Sequence, residues 1–255
     1  MMENITAVHN KTAIITGGAR GIGKEIVKDL ASQGYNVIIN YNSSRQEAIE
    51  LENSLKNKGV SCLAIKCDIS KEDEINDMVH TVLSHFGKID LLVNNAAVCK
   101  DATFYDRTAE DFRSTFETNV IGTFLISRIV GEIMYRGDGG KIINLTSTNG
   151  INTYYPMCID YDASKSAIIS LTHNLATQFA PKVIVNAIAP GFIATDSEIS
   201  GMDEEFMKIE ESKIMVERAG KPEEVAGLVS FLASPKGDFI NNQVIKINGG
   251  IYGDF

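Results

Sequence analysis

Seven short runs of the chain are apolar at consecutive positions: TAIIT (12–16), NVIIN (36–40), SCLAIK (61–66), IDLLVN (89–94), KIINLT (141–146), VIVNAI (183–188) and VIKIN (244–248). Between them, longer stretches such as IGKEIVKDLASQG, EDEINDMVHTVLSHFG and AEDFRSTFETNVIGTFLISRIVGEIM repeat their apolar residues at steps of three and four, the spacing of one helix face. Strands that are apolar on both faces need cover on both sides, and intervening helices supply it. The pattern therefore predicts an α/β, Rossmann-like, doubly wound fold with a seven-stranded parallel sheet and helices on both faces. No linker, repeat or low-complexity segment divides residues 1–255, so a single domain is expected. One stretch lacks a strand partner, 192–217, where Met202, Phe206, Met207 and Met215 stand among many acids. It reads as a helical flap. Ligands of such sheets sit outside the carboxyl ends of the strands, and a flap after the sixth strand would cover that crevice.

Composition narrows the function. A net charge of −9 with no basic stripe argues against nucleic acid and anionic membrane, which bind through clustered cations. No apolar run approaches the roughly 20 residues of a membrane span, and the short apolar run near the N-terminus is no secretion signal. A cytoplasmic protein is expected. Cys62, Cys67, Cys99 and Cys158 show neither C-x-x-C nor zinc spacing, so they read as reduced and mostly buried. His9, His80, His85 and His173 are scattered. No metal is expected.

The first strand runs into TGGARGIG (16–23) and then a helix. Glycines at such a turn let the backbone approach a pyrophosphate, and the helix N-terminus offers unpaired N–H groups. Here the glycines stand at 17, 18, 21 and 23, which is not G-x-G-x-x-G, and tight strand-to-helix packing alone would also explain them. Sheets that select NAD place an acid at the end of the second strand. This one ends in INYNSSR (39–45), without an acid. Asn40, Tyr41, Asn42, Ser43 and Ser44 can surround a phosphate without repelling it, with Arg20 and Arg45 as charges, so NADP(H) is favoured over NAD(H). CDIS (67–70) and NNAA (94–97) follow the third and fourth strands. Each could contact a nucleotide or serve only as a cap or turn.

The chemistry points to YDASK (161–165), which sets Tyr161 and Lys165 four residues apart on a helix, where side chains are neighbours. Unit charges about 4 Å apart interact by roughly 4 kcal/mol at an effective dielectric near 20. A phenol beside an ammonium is thereby drawn toward neutrality, where it can act as a general acid or base. LTSTNG (145–150) places Ser147 at the carboxyl end of the fifth strand, and the long helix before it carries Asn119. Topology aims Asn119, Ser147, Tyr161 and Lys165 at one crevice.

With TGGARGIG, NNAA, Asn119, Ser147, YDASK, the PG of APGFIATD (189–196) and INGG (247–250) in this order, the sequence resembles the short-chain dehydrogenase/reductase family over nearly its whole length. The resemblance implies hydride transfer between a nicotinamide and a ketone or secondary alcohol. Tyr161 would be the acid/base, and Ser147 would hold the substrate oxygen. Lys165 would lower the tyrosine pKa and bind the nicotinamide ribose, while Asn119 would position a relay water. It further implies that Gly17, Arg20, Gly21, Ile22 and Gly23 line the pyrophosphate and ribose. Asp68 and Ile69 would line the adenine, Asn95 and Ala96 the adjoining ribose, and Pro190, Gly191, Ile193 and Thr195 the carboxamide. Relatives are usually tetramers, and the long apolar helices near 109–134 and 160–179 offer an interface.

Some positions depart from the family pattern. NNAA ends in alanine where glycine is common, and Ser147 precedes Tyr161 by one residue more than in many relatives, so the loop TYYPMCID is expected to bulge. Thr146 and Thr148 compete with Ser147 as the hydroxyl, and APKVIVN shortens a surface turn. The NY of the second strand and RAGKPEEVA (218–226) resemble 3-oxoacyl-[acyl-carrier-protein] reductases. Against a carrier-linked substrate stand the mixed charges of RGDGGK (136–141) and seven acids to two lysines across residues 194–213. A reductase of another small ketone, sugar or alcohol, and a non-catalytic NADP-binding sensor, remain as alternatives.

Overall fold

The computed structural model describes residues 11–152 and 155–252. Seven strands form one sheet: β1 (Thr12–Ile15), β2 (Asn36–Tyr41), β3 (Cys62–Lys66), β4 (Leu91–Asn94), β5 (Gly140–Leu145), β6 (Val183–Pro190) and β7 (Val244–Ile247). All pairs are parallel and the order is β3-β2-β1-β4-β5-β6-β7. The expected architecture is the observed one. The chain winds outward from β1 to β3 and then returns to β4, so the order reverses between β1 and β4. That reversal opens a crevice at the carboxyl edge.

The consecutive apolar runs are explained by two cores, one on each face of the sheet. Ala13, Ile15, Val37 and Ile39 point to one side. There they meet α1 (Gly21–Ser32), α2 (Arg45–Lys56) and α9 (Pro222–Ala233). Ile14, Ile38, Leu92 and Ile142 point to the other, against α3 (Glu72–Phe86), α5 (Thr123–Arg136) and α6 (Ile159–Phe179).

The helix expected over 109–134 is interrupted. α4 (Ala109–Phe116) starts in a Thr108/Asp111 capping box and passes through a π-helical turn, Glu117–Gly122, into α5. Such turns are local insertions in an α-helix. Here the insertion brings Gly122 against Ile69, where a β-carbon would lie 2.9 Å from the isoleucine side chain and 3.0 Å from its carbonyl oxygen.

The flap consists of two short helices, α7 (Asp196–Ile199) and α8 (Glu204–Ser212). It is fastened at both ends. Ile193 bridges Gly220 at the start, and Met215 and Val216 donate to the carbonyls of Gly250 and Gly249 at the finish. Gly249 and Gly250 have φ of 67° and 76°, and β-carbons on them would strike Ile214, Val216 and Met215. Gly249 and Gly250 thus allow the backbone there to lie directly against the segment Ile214, Met215 and Val216 that follows α8.

Candidate active site

Lys165 sits one turn beyond Tyr161 on α6, with its ammonium 5.4 Å from the centre of the tyrosine ring. It is 4 % exposed, and its Nζ donates to the carbonyl of Leu145, the last residue of β5, at 2.8 Å. Burial pulls its pKa down to about 8, against a smaller opposing effect of Cys99. The lysine is therefore a weakened cation, fixed under the phenol by the strand end.

Ser147 is held on the adjoining turn. It has extended backbone and accepts from the Asn149 N–H at 3.2 Å, starting a 3-10 turn over Thr148–Gly150. Gly150 lets that turn press directly on α6, because a β-carbon there would lie 2.6 Å from the Lys165 carbonyl carbon. The Ser166 hydroxyl then donates to the Gly150 carbonyl at 2.8 Å. Of the competing hydroxyls, Thr146 donates to the Lys165 carbonyl at 2.7 Å and is buried, as is Thr148. Ser147 keeps partial access to the crevice. In the loop expected to bulge, residues 153 and 154 lie outside the described residues. Asp162 ties its flanks by accepting from Asn149 Nδ2 at 2.8 Å and from the Tyr155 N–H at 3.0 Å.

Asn119 does not aim its side chain into the crevice. Its Nδ2 donates both hydrogens, to the Val98 carbonyl and to Ser164 Oγ at 3.0 Å each, while Oδ1 accepts from the Val98 N–H at 2.8 Å. Ser164 passes the link to the Tyr161 carbonyl at 2.7 Å. A primary amide has only two donor hydrogens. The Asn119 amide therefore splices the loop after β4 to the helix of Tyr161.

At the nucleotide end, Gly17 has φ of 61° and lies against Ala96 and Asn95, and a β-carbon on Gly23 would be 2.3 Å from the Gly17 carbonyl oxygen. Asn95 Nδ2 donates to the carbonyls of Thr16 and Gly17 at 2.9 and 3.1 Å. The Thr16 hydroxyl, which the motif reading passed over, accepts from the N–H groups of Asn95 and Ala96 at 2.9 and 3.0 Å. The turn after β1 and the end of β4 are thus one unit. Gly21, with φ of 52°, faces Thr195 across the crevice, which brings the segment after Pro190, Gly191 and Ile193 opposite the start of α1. Gly191 presses on Asn248 and Ile193 is buried beside Gly220.

The start of α1 can receive an anion. Arg20 caps it without a side-chain hydrogen bond, and its first turn, with Ile22 and Gly23, contains no acid. By contrast, α3 starts with Glu72, Asp73 and Glu74. First-turn N–H groups without side-chain acceptors, beside a glycine backbone, suit a pyrophosphate.

The strand-two set divides. Asn40 is buried, donating to the Cys67 carbonyl at 2.9 Å and accepting from the Gly17 N–H at 3.3 Å, and Tyr41 is buried too. Asn42, Ser43 and Arg45 are exposed at the strand end, as is Arg20. Asp68 accepts from the N–H and hydroxyl of Ser70 at 3.0 and 2.8 Å, and Ile69 is buried under Gly122.

The charges of RGDGGK bear on a different part of the molecule. Lys141 lies at the amino end of β5, a six-residue strand, which at about 3.3 Å per residue separates it from the Ser147 edge by roughly 20 Å. Its ammonium bonds the carbonyls of Leu232 and Ser234 and pairs with Asp238 at 2.7 Å. That loop therefore says nothing about what approaches the crevice.

A family profile described as enoyl-(acyl carrier protein) reductase matches residues 17–252. A 3-oxoacyl-[acyl-carrier-protein] reductase from Staphylococcus epidermidis is 38 % identical over 244 residues, covering 95 % of this chain and 99 % of the relative. The chain belongs to the short-chain dehydrogenase/reductase family. It is an oxidoreductase of the nicotinamide-dependent class that acts on CH–OH groups. A 3-oxoacyl-[acyl-carrier-protein] reductase from Synechocystis is 34 % identical, covering 97 % of this chain and 99 % of its own. Among solved structures, a Burkholderia cenocepacia short-chain dehydrogenase in complex with NADP superimposes with a TM-score of 0.88 at 32 % identity, covering 94 % of this chain and 97 % of its own.

Proposed function

We propose that this enzyme is an NADP(H)-dependent reductase that interconverts a 3-oxoacyl thioester and its 3-hydroxyacyl form. Tyr161 is the acid/base, Ser147 the hydroxyl that holds the substrate oxygen, and Lys165 the cation that makes the phenol usable. The observation that carries this reading is the Lys165 ammonium buried 5.4 Å from the Tyr161 ring, with Ser147 on the turn that Gly150 presses against the same helix.

The nicotinamide, when bound, supplies or accepts the hydride. Gly17, Gly21, Ile22 and Gly23 at the start of α1 would hold the pyrophosphate, with Asn95 and Ala96 beside a ribose, and Pro190, Gly191, Ile193 and Thr195 facing them. Asn42, Ser43, Arg45 and Arg20 are the groups for a 2′-phosphate. Asn40 and Tyr41 belong to the scaffold beneath. NADP(H) is supported by the lack of an acid at the end of β2 and by the NADP held by the Burkholderia relative.

In reduction, Tyr161 gives its phenolic proton to the substrate oxygen as negative charge develops there, and Ser147 donates a hydrogen bond to the same oxygen. A charged Lys165 stabilises the phenolate that remains, by the Coulombic attraction of neighbouring opposite charges. Oxidation runs the same proton backward. Asn119 is a positioning residue in this reading, because its amide hydrogens already hold Val98 and Ser164.

The 3-oxoacyl class is supported by the names of the Staphylococcus and Synechocystis relatives. One observation favours a second substrate class. In the segment after β6, the N-terminal cap and first turn of α8 expose Asp203, Glu204 and Glu205, with none of the helix buried, and an acidic carrier protein approaching that segment is repelled by such a surface. A free small ketone, sugar or alcohol would not be. A homotetramer in the cytoplasm completes the proposal, with half-exposed Ile121, Phe124 and Phe231 as interface candidates.

Steady-state NADPH oxidation with acetoacetyl thioesters, matched plain ketones and sugars tests the reading. We expect kcat/KM for the thioester to exceed that for the plain ketone by roughly tenfold or more. Preference for the plain ketone would move the substrate to the second class. Tight NADPH binding with no turnover of any carbonyl would leave only a sensor.

A further inference from the structure

A second cluster lies at the rim of the crevice. Cys99, Asp101 and Cys158 bring two thiols and a carboxylate together, with donor atoms all within 4.8 Å of one another. The two Sγ atoms are in direct contact at 2.6 Å, with both cysteines free. All four cysteines are free and three are buried, as the sequence leads one to expect, but Cys99 is exposed and the spacing gave no sign that it meets Cys158.

The juxtaposition is enforced from beneath. Arg107, whose side chain is 3 % exposed, donates through one nitrogen to the carbonyl of Lys100 at 2.7 Å and that of Met157 at 2.6 Å. Those residues directly follow Cys99 and directly precede Cys158. Its other terminal nitrogen meets Asp160 at 3.3 Å, and the same carboxylate oxygen accepts from Thr115 at 2.6 Å. The Ala102 N–H adds a bond to the Met157 carbonyl at 3.0 Å. One buried guanidinium thus holds both cysteine-bearing segments, which are far apart in sequence.

We propose that Cys99 and Cys158 form a reversible intrachain disulfide, an oxidation site for small-molecule disulfides such as oxidised glutathione. Cys99 is exposed and Cys158 buried, so the order of events is set by access. The Cys99 sulfur, as thiolate, attacks one sulfur of the small disulfide, forming a mixed disulfide and releasing one small thiol. Cys158, whose thiol donates to Asp101 Oδ1 at 3.0 Å, then gives up its proton and attacks the Cys99 sulfur. That step releases the second small thiol. Two protein thiols lose two electrons and two protons, and the small disulfide gains them.

The hydrogen bond with Cys99, burial and Asp101 together push the Cys158 pKa up. The buried thiol is therefore the resolving one. The bond ties the loop after β4, which contains Val98, to the turn that begins α6 one helical turn before Tyr161. Neither sulfur takes part in the hydride chemistry, so this proposal and the catalytic one fail independently.

The test is incubation of the native full-length enzyme with oxidised glutathione, followed by alkylation of remaining thiols and peptide mass spectrometry. We expect loss of alkylation at both Cys99 and Cys158, a linked peptide joining them, and recovery of both thiols with dithiothreitol. Cys158→Ser should stop at a glutathione adduct on Cys99, and Cys99→Ser should leave Cys158 reduced. A stable glutathione adduct on Cys99 of the wild-type enzyme, or a bridge between two chains, would overturn the proposal. So would purified enzyme that retains one zinc per chain and resists the oxidant, which would make the cluster a metal site.

Discussion

Burying the Lys165 ammonium works against folding. Its folded pKa of about 8 lies below the ordinary 10.5. The charged form is thus disfavoured in the native state, by about 3 kcal/mol at 1.4 kcal/mol per unit. That cost is full below pH 8, shrinks as pH rises through the window from 8 to 10.5, and is gone above it. Replacing the lysine by methionine removes the cost and loses one hydrogen bond to Leu145, worth about 1 kcal/mol. Lys165→Met should therefore be more stable than wild type by about 1–2 kcal/mol at pH 7 in urea unfolding without cofactor, with the gap closing above pH 10. Turnover should fall with it. A variant less stable at pH 7 would show that burial of this ammonium is not the strain we take it for. The Tyr161–Lys165 pairing was legible because four-residue spacing on a helix fixes proximity. The directions of Asn40 and Asn119 were not, because a polar residue near a strand end or on a buried helix can serve crevice or scaffold equally, and only the partners Cys67, Val98 and Ser164 decide.

Elements built from continuous apolar runs were readable, since central strands such as β1, β4 and β6 are buried on both faces, and the partly buried edge strands β3 and β7 carry the same β-branched, apolar composition. The π-helical turn at Glu117–Gly122 was not, because it goes with a close contact between Gly122 and Ile69, residues distant in sequence. The same reasoning hides the meeting of Cys99 with Cys158. Gly150 controls how the turn bearing Ser147 meets α6. In Gly150→Ala the added carbon must displace Lys165 backbone from 2.6 Å, which backbone cannot yield cheaply. We expect destabilisation of about 1–3 kcal/mol, read by urea unfolding. We also expect a fall in kcat that exceeds any change in NADPH affinity, read by steady-state kinetics and fluorescence titration. Unchanged kcat would separate the turn from catalysis.

For the whole molecule, the order β3-β2-β1-β4-β5-β6-β7 gathers the starts of α1 and the ends of β2, β4, β5 and β6 at one edge. A chain of net charge −9 binding a polyanion there depends on local cations, and Arg20 and Arg45 are the exposed ones at the β1 and β2 turns. Arg20→Ala with Arg45→Ala should weaken NADPH by roughly tenfold or more while NADH changes less, in proportion to lost charge-assisted hydrogen bonds. Equal losses for both would refute the 2′-phosphate assignment. The central claim is that the assembled edge delivers a proton from Tyr161. It is tested most directly by the turnover of Tyr161→Phe on protein whose NADPH affinity has been checked in the same preparation. We predict a loss of about 10²–10⁴-fold in kcat, the contribution of a positioned general acid, with NADPH affinity near that of wild type. Wild-type turnover in that variant would contradict the account.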